Sequence, residues 1–148
     1  MFRSSLIICE RTGRWAVAFR RALGDRRNAI TESRSLAACA AQLAAQPASV
    51  VAIEVTAANL ERVLAAVSAW QRRHPQCRIV ALVAEGLGAA EDLLREAGAV
   101  GVLHRAREVP QAAKLVVRHV DAAPSDDVPL EQAIVSRLPW SKGAAAPA

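Results

Sequence analysis

Six residues stand where short apolar runs end, and their types are the ones that do chemistry there. Glu10 and Arg11 follow Leu6-Ile7-Ile8-Cys9, and Glu54 follows Val50-Val51-Ala52-Ile53. Val83 closes Ile79-Val80-Ala81-Leu82-Val83, and His104 and Arg105 follow Val100-Gly101-Val102-Leu103. If the runs are parallel strands, these residues gather beyond the carboxyl ends of the sheet, where ligands bind in open α/β folds. Other constellations are missing. No GxGxxG or GxxxxGK[ST] follows a strand candidate, which removes the dinucleotide and P-loop readings. His74, His104 and His119 lack metal spacing, and Cys9, inside its apolar run, cannot join a Cys-His pair at a strand end. His104 is the only histidine near the candidate site, and a partly buried structural role fits it better than general base.

The elements that must position these residues can be read from periodicity. The runs at 6–9, 50–53, 79–83 and 100–103, with a weaker one around 29–31, are continuous rather than alternating, as strands covered on both faces are. Helix patterns lie between them over 13–23, 35–45, 58–73, 89–97 and 109–120. Leu60, Val63, Leu64, Val67 and Trp70 share one face of the third. Gly24 and Gly98 stop two helices, and Pro75 ends another. The order βαβαβαβαβα predicts a doubly wound five-stranded parallel sheet with right-handed crossovers, strand order 2-1-3-4-5. Residues 1–122 form this domain. Pro124-Ser125-Asp126-Asp127 is a linker to a short amphipathic helix over about 129–138, with Leu130 and Ile134 on one face, followed by a low-complexity tail that is expected to be disordered.

Composition bounds the rest. The 148 residues are 53% apolar and 3% aromatic with no Tyr, so the core is built from Ala, Val, Leu and Ile, and no stacking platform for single strands is present. The net charge is +5, and seventeen of the nineteen basic residues are Arg. Arg20, Arg21, Arg26 and Arg27, and Arg72, Arg73 and Arg78, cluster at helix C-termini, where cations complement the macrodipole without a ligand. Nucleic acid is therefore an unlikely partner. Three widely spaced cysteines suit a reducing cytosol, and no run is long enough for a signal peptide or a membrane span, so a cytoplasmic protein is expected.

The five βα units, and above all Arg95-Glu96-Ala97-Gly98-Ala99-Val100-Gly101-Val102-Leu103-His104-Arg105, resemble the receiver domain of two-component response regulators over roughly residues 4 to 121. The resemblance implies a flavodoxin-like (CheY-like) fold and a phosphorelay site. Its members carry an acidic pair after the first strand, a phosphorylated Asp ending the third, Thr or Ser after the fourth and Lys after the fifth, with Mg²⁺ held by the carboxylates. Here Glu10 and Arg11 fall at the acidic pair, Glu54 at the phospho-acceptor, Val83 at the hydroxyl and Arg105 at the Lys. The chain thus departs from the pattern at every catalytic position, as a pseudo-receiver does. Glu10 and Glu54 contribute −2 and Arg11 and Arg105 +2, so a cluster of the four is neutral without metal. Arginine forks bind carboxylates, and Arg11 and Arg105 are expected to pair with Glu54 and Glu10. A frozen phosphomimic at Glu54 is the weaker alternative.

The function so implied is phosphorylation-independent signalling through protein interaction, with no enzyme activity and no cofactor. In the family the fourth helix, fifth strand and fifth helix contact partners or a second copy. That face falls on residues 88–119, with Val102, Leu115 and Val116 as candidate partner surface, joined by Leu130 and Ile134 of the tail helix. The rival is a flavodoxin-like small-molecule or cofactor binder. Thr12-Gly13 echoes the flavodoxin phosphate loop, but the further hydroxyls and the stacking aromatics are missing.

Overall fold

In the computed structural model, which describes residues 5–122, the strands are β1 (Leu6–Cys9), β2 (Ile30–Ser33), β3 (Val50–Val55), β4 (Arg78–Val83) and β5 (Gly101–Leu103). The helices are α1 (Arg14–Leu23), α2 (Leu36–Ala45), α3 (Leu60–Arg73), α4 (Glu91–Ala97) and α5 (Val109–Ala122). The sheet is parallel throughout in the order β2-β1-β3-β4-β5. That is the expected topology. No helix among the described residues is long and apolar enough to cross a membrane. The linker and the helix expected over 129–138, with Leu130 and Ile134, lie outside the described residues.

The continuous apolar runs arise because both faces of the sheet are covered. Ile7, Val51, Ile53, Ile79 and Ala81 pack under Cys39 and Leu43 of α2, Val63, Val67 and Trp70 of α3 and Leu94 of α4. Their neighbours Leu6, Ile8, Val50, Ala52, Val80 and Leu82 pack under Trp15 and Phe19 of α1 and Ala113 and Val116 of α5. Successive strand residues thus enter opposite cores, the period-2 rule applied twice. Phe19 is wholly buried, and burying a side chain of that size stabilises by about 1.5–3 kcal/mol.

Boundaries differ from expectation where polar residues hide a strand or a tighter turn precedes a helix. β2 runs to Ser33, two residues beyond the expected run, because this edge strand is only partly covered and tolerates Thr31 and Glu32. β3 extends through Glu54 to Val55, so Glu54 lies within the strand, paired in register with Leu82. A two-turn 3-10 helix over Gly24–Ala29 leads into β2, and a single 3-10 turn over Gly88–Ala90 leads into α4. Gly24 and Gly98 stop α1 and α4 with φ of 55° and 128°, as the glycine signals predict.

Candidate functional site

The β1–α1 corner is built around a buried charge. Glu10 is 2% exposed, and its backbone N–H donates to Ser33 O of β2 at 3.1 Å. Its carboxylate turns under α1, where Oε1 accepts the Trp15 N–H at 3.0 Å and Oε2 the Ala16 N–H at 2.8 Å. The residue at the start of α1, Gly13, has φ 85° and no side chain to cap the helix. Glu10 supplies the missing acceptors from outside the helix, with its charge at the positive end of the macrodipole. Arg34, directly after β2, donates from Nη1 to Glu10 O at 3.1 Å, and Glu32 bridges Arg34 at 3.4 Å and Arg20 at 2.7 Å. The Arg20 hydrogen bond holds the Glu32 carboxyl below its ordinary range.

The expected ion-pair cluster is not formed. Both Glu10 oxygens face backbone amides, and neither Arg11 nor Arg105 comes within ion-pair distance of Glu10 or Glu54 among the described residues. The physical reason lies in solvation: Arg11 and Arg105 are exposed, while Glu10 is enclosed and already satisfied twice.

Glu54 is half-buried at the carboxyl edge. Its strand end is pinned by Asn59, whose Nδ2 donates to Glu54 O at 3.0 Å while its Oδ1 accepts the Thr56 N–H at 2.8 Å. The Glu54 side chain stands between two cavities. One, of about 700 Å³, is lined by Arg14, Trp15, Glu54, Val83, His104 and Arg105. The other, of about 480 Å³, is lined by Glu10, Arg11, Arg34, Glu54 and Arg62 among others. Glu54, Val83 and Arg105 therefore do share one cavity, and Glu10 and Arg11 share the neighbouring one. Val83 is 1% exposed and packs toward α2, α3 and α4.

The loop after β5 is held by two contacts that sequence reasoning missed. The Glu108 carboxylate accepts the His104 N–H at 2.7 Å and the Arg105 N–H at 3.4 Å. His104 Nε2 lies 3.0 Å from Glu91 Oε2 of α4, and Arg95 reaches the same carboxylate at 3.0 Å. His104, then Arg95, hold the Glu91 carboxyl below its ordinary value. Glu91 and Arg95 are spaced i,i+4 on a helix, a signal that was available.

On the α4–β5–α5 side, Val102 and Leu115 are half-buried against the two cores. Val116 is corrected: at 2% exposure it is core, because Val109, Ala112, Ala113 and Val116 form the inward stripe of α5. The exposed apolar residues nearby are instead Leu93, 49% exposed, and Val100, 43% exposed. Among the thiols, the neighbouring Cys39 draws Cys9 below its ordinary value, whereas burial pushes the Cys77 thiol up to about 12.

No family model matches the chain, and no curated protein matches it. Solved structures do. A response regulator from Thermotoga maritima superposes with a TM-score of 0.65 at 14% identity, covering 79% of this chain and 99% of that one. The fold is receiver-like. A CheY-like protein (tadZ) from Pseudomonas aeruginosa gives a TM-score of 0.61 at 19% identity over 77% of this chain and 99% of its own. A pilus assembly-related protein from Burkholderia pseudomallei gives 0.58 at 23% identity over 84% and 95%. Glu54, Val83 and Arg105 line one cavity of this fold.

Proposed function

We propose that this chain is a receiver-like protein-interaction module that works without phosphorylation, and that it serves in pilus assembly. One observation carries the first part. Glu10, the remaining acid of the would-be metal pair, has both oxygens committed to the Trp15 and Ala16 amides. A Mg²⁺ ion there would have to strip the cap from α1, beside the cation Arg11, with Glu54 as its one uncommitted carboxylate. Mg²⁺ demands near-ideal octahedral oxygen geometry, and this donor set does not fit it. The buried methyl groups of Val83 support the same reading, since the hydroxyl that would follow a phosphoryl group is gone. The pilus context is supported by neighbours of this fold named for pilus assembly, from Burkholderia pseudomallei and Burkholderia thailandensis.

The surface that remains for partners is the α4–β5–α5 side, where Leu93 and Val100 leave large apolar groups in water and Leu115 is half-covered. The test is incubation with Mg²⁺ and acetyl phosphate followed by intact-mass measurement. No mass gain is expected at Glu54; stoichiometric addition of one phosphoryl group would overturn the proposal.

A further inference from the structure

The smaller cavity gathers basic residues from separate segments of the chain. Arg11 arrives from the β1–α1 loop, Arg34 from the β2–α2 connection and Arg62 from the first turn of α3, so three guanidiniums from three segments line one crevice of about 480 Å³. Arg11 and Arg62, like most of the exposed arginines, have no carboxylate partner among the described residues. Arg34 is anchored at the mouth by Glu10 O and Glu32. Glu10 also lines the crevice, but its charge is directed onto the α1 amides. That leaves Arg11 and Arg62 unpaired beside Glu54, with Arg34 shared with Glu32, at the switch point between β1 and β3 where open α/β sheets bind ligands.

We propose that this crevice binds a small phosphate-bearing anion, with the phosphate held by Arg11, Arg34 and Arg62. Guanidinium matches phosphate oxygens in geometry and keeps its charge at any physiological pH. A cavity of this volume lies within the range of small-molecule sites, so the remainder of a phosphate ester has room beside the charged end. Glu54, which lines the same crevice, opposes the anion and limits its affinity. The inference stands on the crevice alone and does not depend on the interaction role proposed above.

The test is titration calorimetry of the full chain with inorganic phosphate, pyrophosphate and AMP at moderate salt. Saturable binding of at least one probe is expected. Tighter binding of AMP than of phosphate assigns an ester, and the reverse assigns the free anion. The R11A/R62A double variant should bind about tenfold more weakly or worse, while E54Q should bind more tightly. The R72A/R73A variant removes the same charge at the far end of α3 and should bind as the parent does. Arg11 and Arg62 are exposed, so an unchanged melting curve for R11A/R62A separates lost binding from lost folding. An absence of saturable binding, or equal weakening by the two double variants, overturns the proposal.

Discussion

Two adjacent strands, β1 and β3, each bring one key carboxylate to the carboxyl edge, and they use it differently. At the β1–α1 corner, Glu10 is enclosed and accepts two backbone N–H groups. Near the end of β3, Glu54 is half-exposed, lines two cavities, and its carboxylate has no hydrogen-bond or ion-pair partner among the described residues. Two acids at equivalent strand ends have thus diverged into a structural group and an available one. The difference teaches that an acid at a strand end need not serve a ligand: its charge can be directed to a helix terminus, where it stabilises the fold.

The largest effect should come from breaking that division at Glu10. Replacing Glu10 with Ala leaves the Trp15 and Ala16 amides without acceptors in a buried setting and removes the cap of α1, at a cost of about 2–4 kcal/mol. Glu54→Ala should cost less than about 1 kcal/mol, since its carboxylate holds no element in place. Urea denaturation of both variants measures the contrast; equal losses would abolish it.

A smaller effect is expected at the turn that lets Glu10 reach α1. Gly13 has φ 85°, a region where an L side chain is strained, and Gly13→Ala should cost about 1–2 kcal/mol. The cost is conformational rather than steric, because an added Cβ would meet Arg34 Nη2 at an ordinary 3.5 Å. Gly88, which opens the turn before α4, has nothing within 4 Å and no positive φ. Gly88→Ala should therefore stay within about 0.5 kcal/mol of the parent. Thermal melts of the pair check whether strain is confined to the Glu10 corner.

Much of this was legible in the sequence. Four of the five strands announce themselves as apolar runs because both faces of the sheet are covered; β2 is faint because an edge strand tolerates Thr31 and Glu32. Strand-end arithmetic also brought Glu54, Val83 and Arg105 to one cavity. What stayed hidden was the partner of Glu10, since backbone amides carry no residue-type signature and only a helix lacking its own cap hints at them. Val116 was misplaced for a different reason. The resemblance put Val116 on the partner face of α5, whereas the phase it shares with Val109, Ala112 and Ala113 puts it in the core.

The smallest effect tests whether side-chain cations can do at the surface what backbone amides do for Glu10. Glu91 is met by His104 and Arg95, and His104, the larger influence, lowers its carboxyl below the ordinary value. A lowered folded-state value means that the stabilisation is complete above the ordinary carboxylate range and is lost as pH falls through the folded value. Glu91→Gln should therefore lower the melting temperature slightly at neutral pH and converge with the parent in acid. Because these groups face solvent, raising the salt concentration should shrink the gap at neutral pH as well. The Glu10 variant should behave otherwise, its deficit persisting in high salt because two buried donors remain unpaired whatever the ionic strength. Melting curves of both variants across pH, at low and high salt, make the distinction. A Glu91 deficit that persists in acid would mean that the contact between α4 and the β5–α5 loop rests on packing rather than charge.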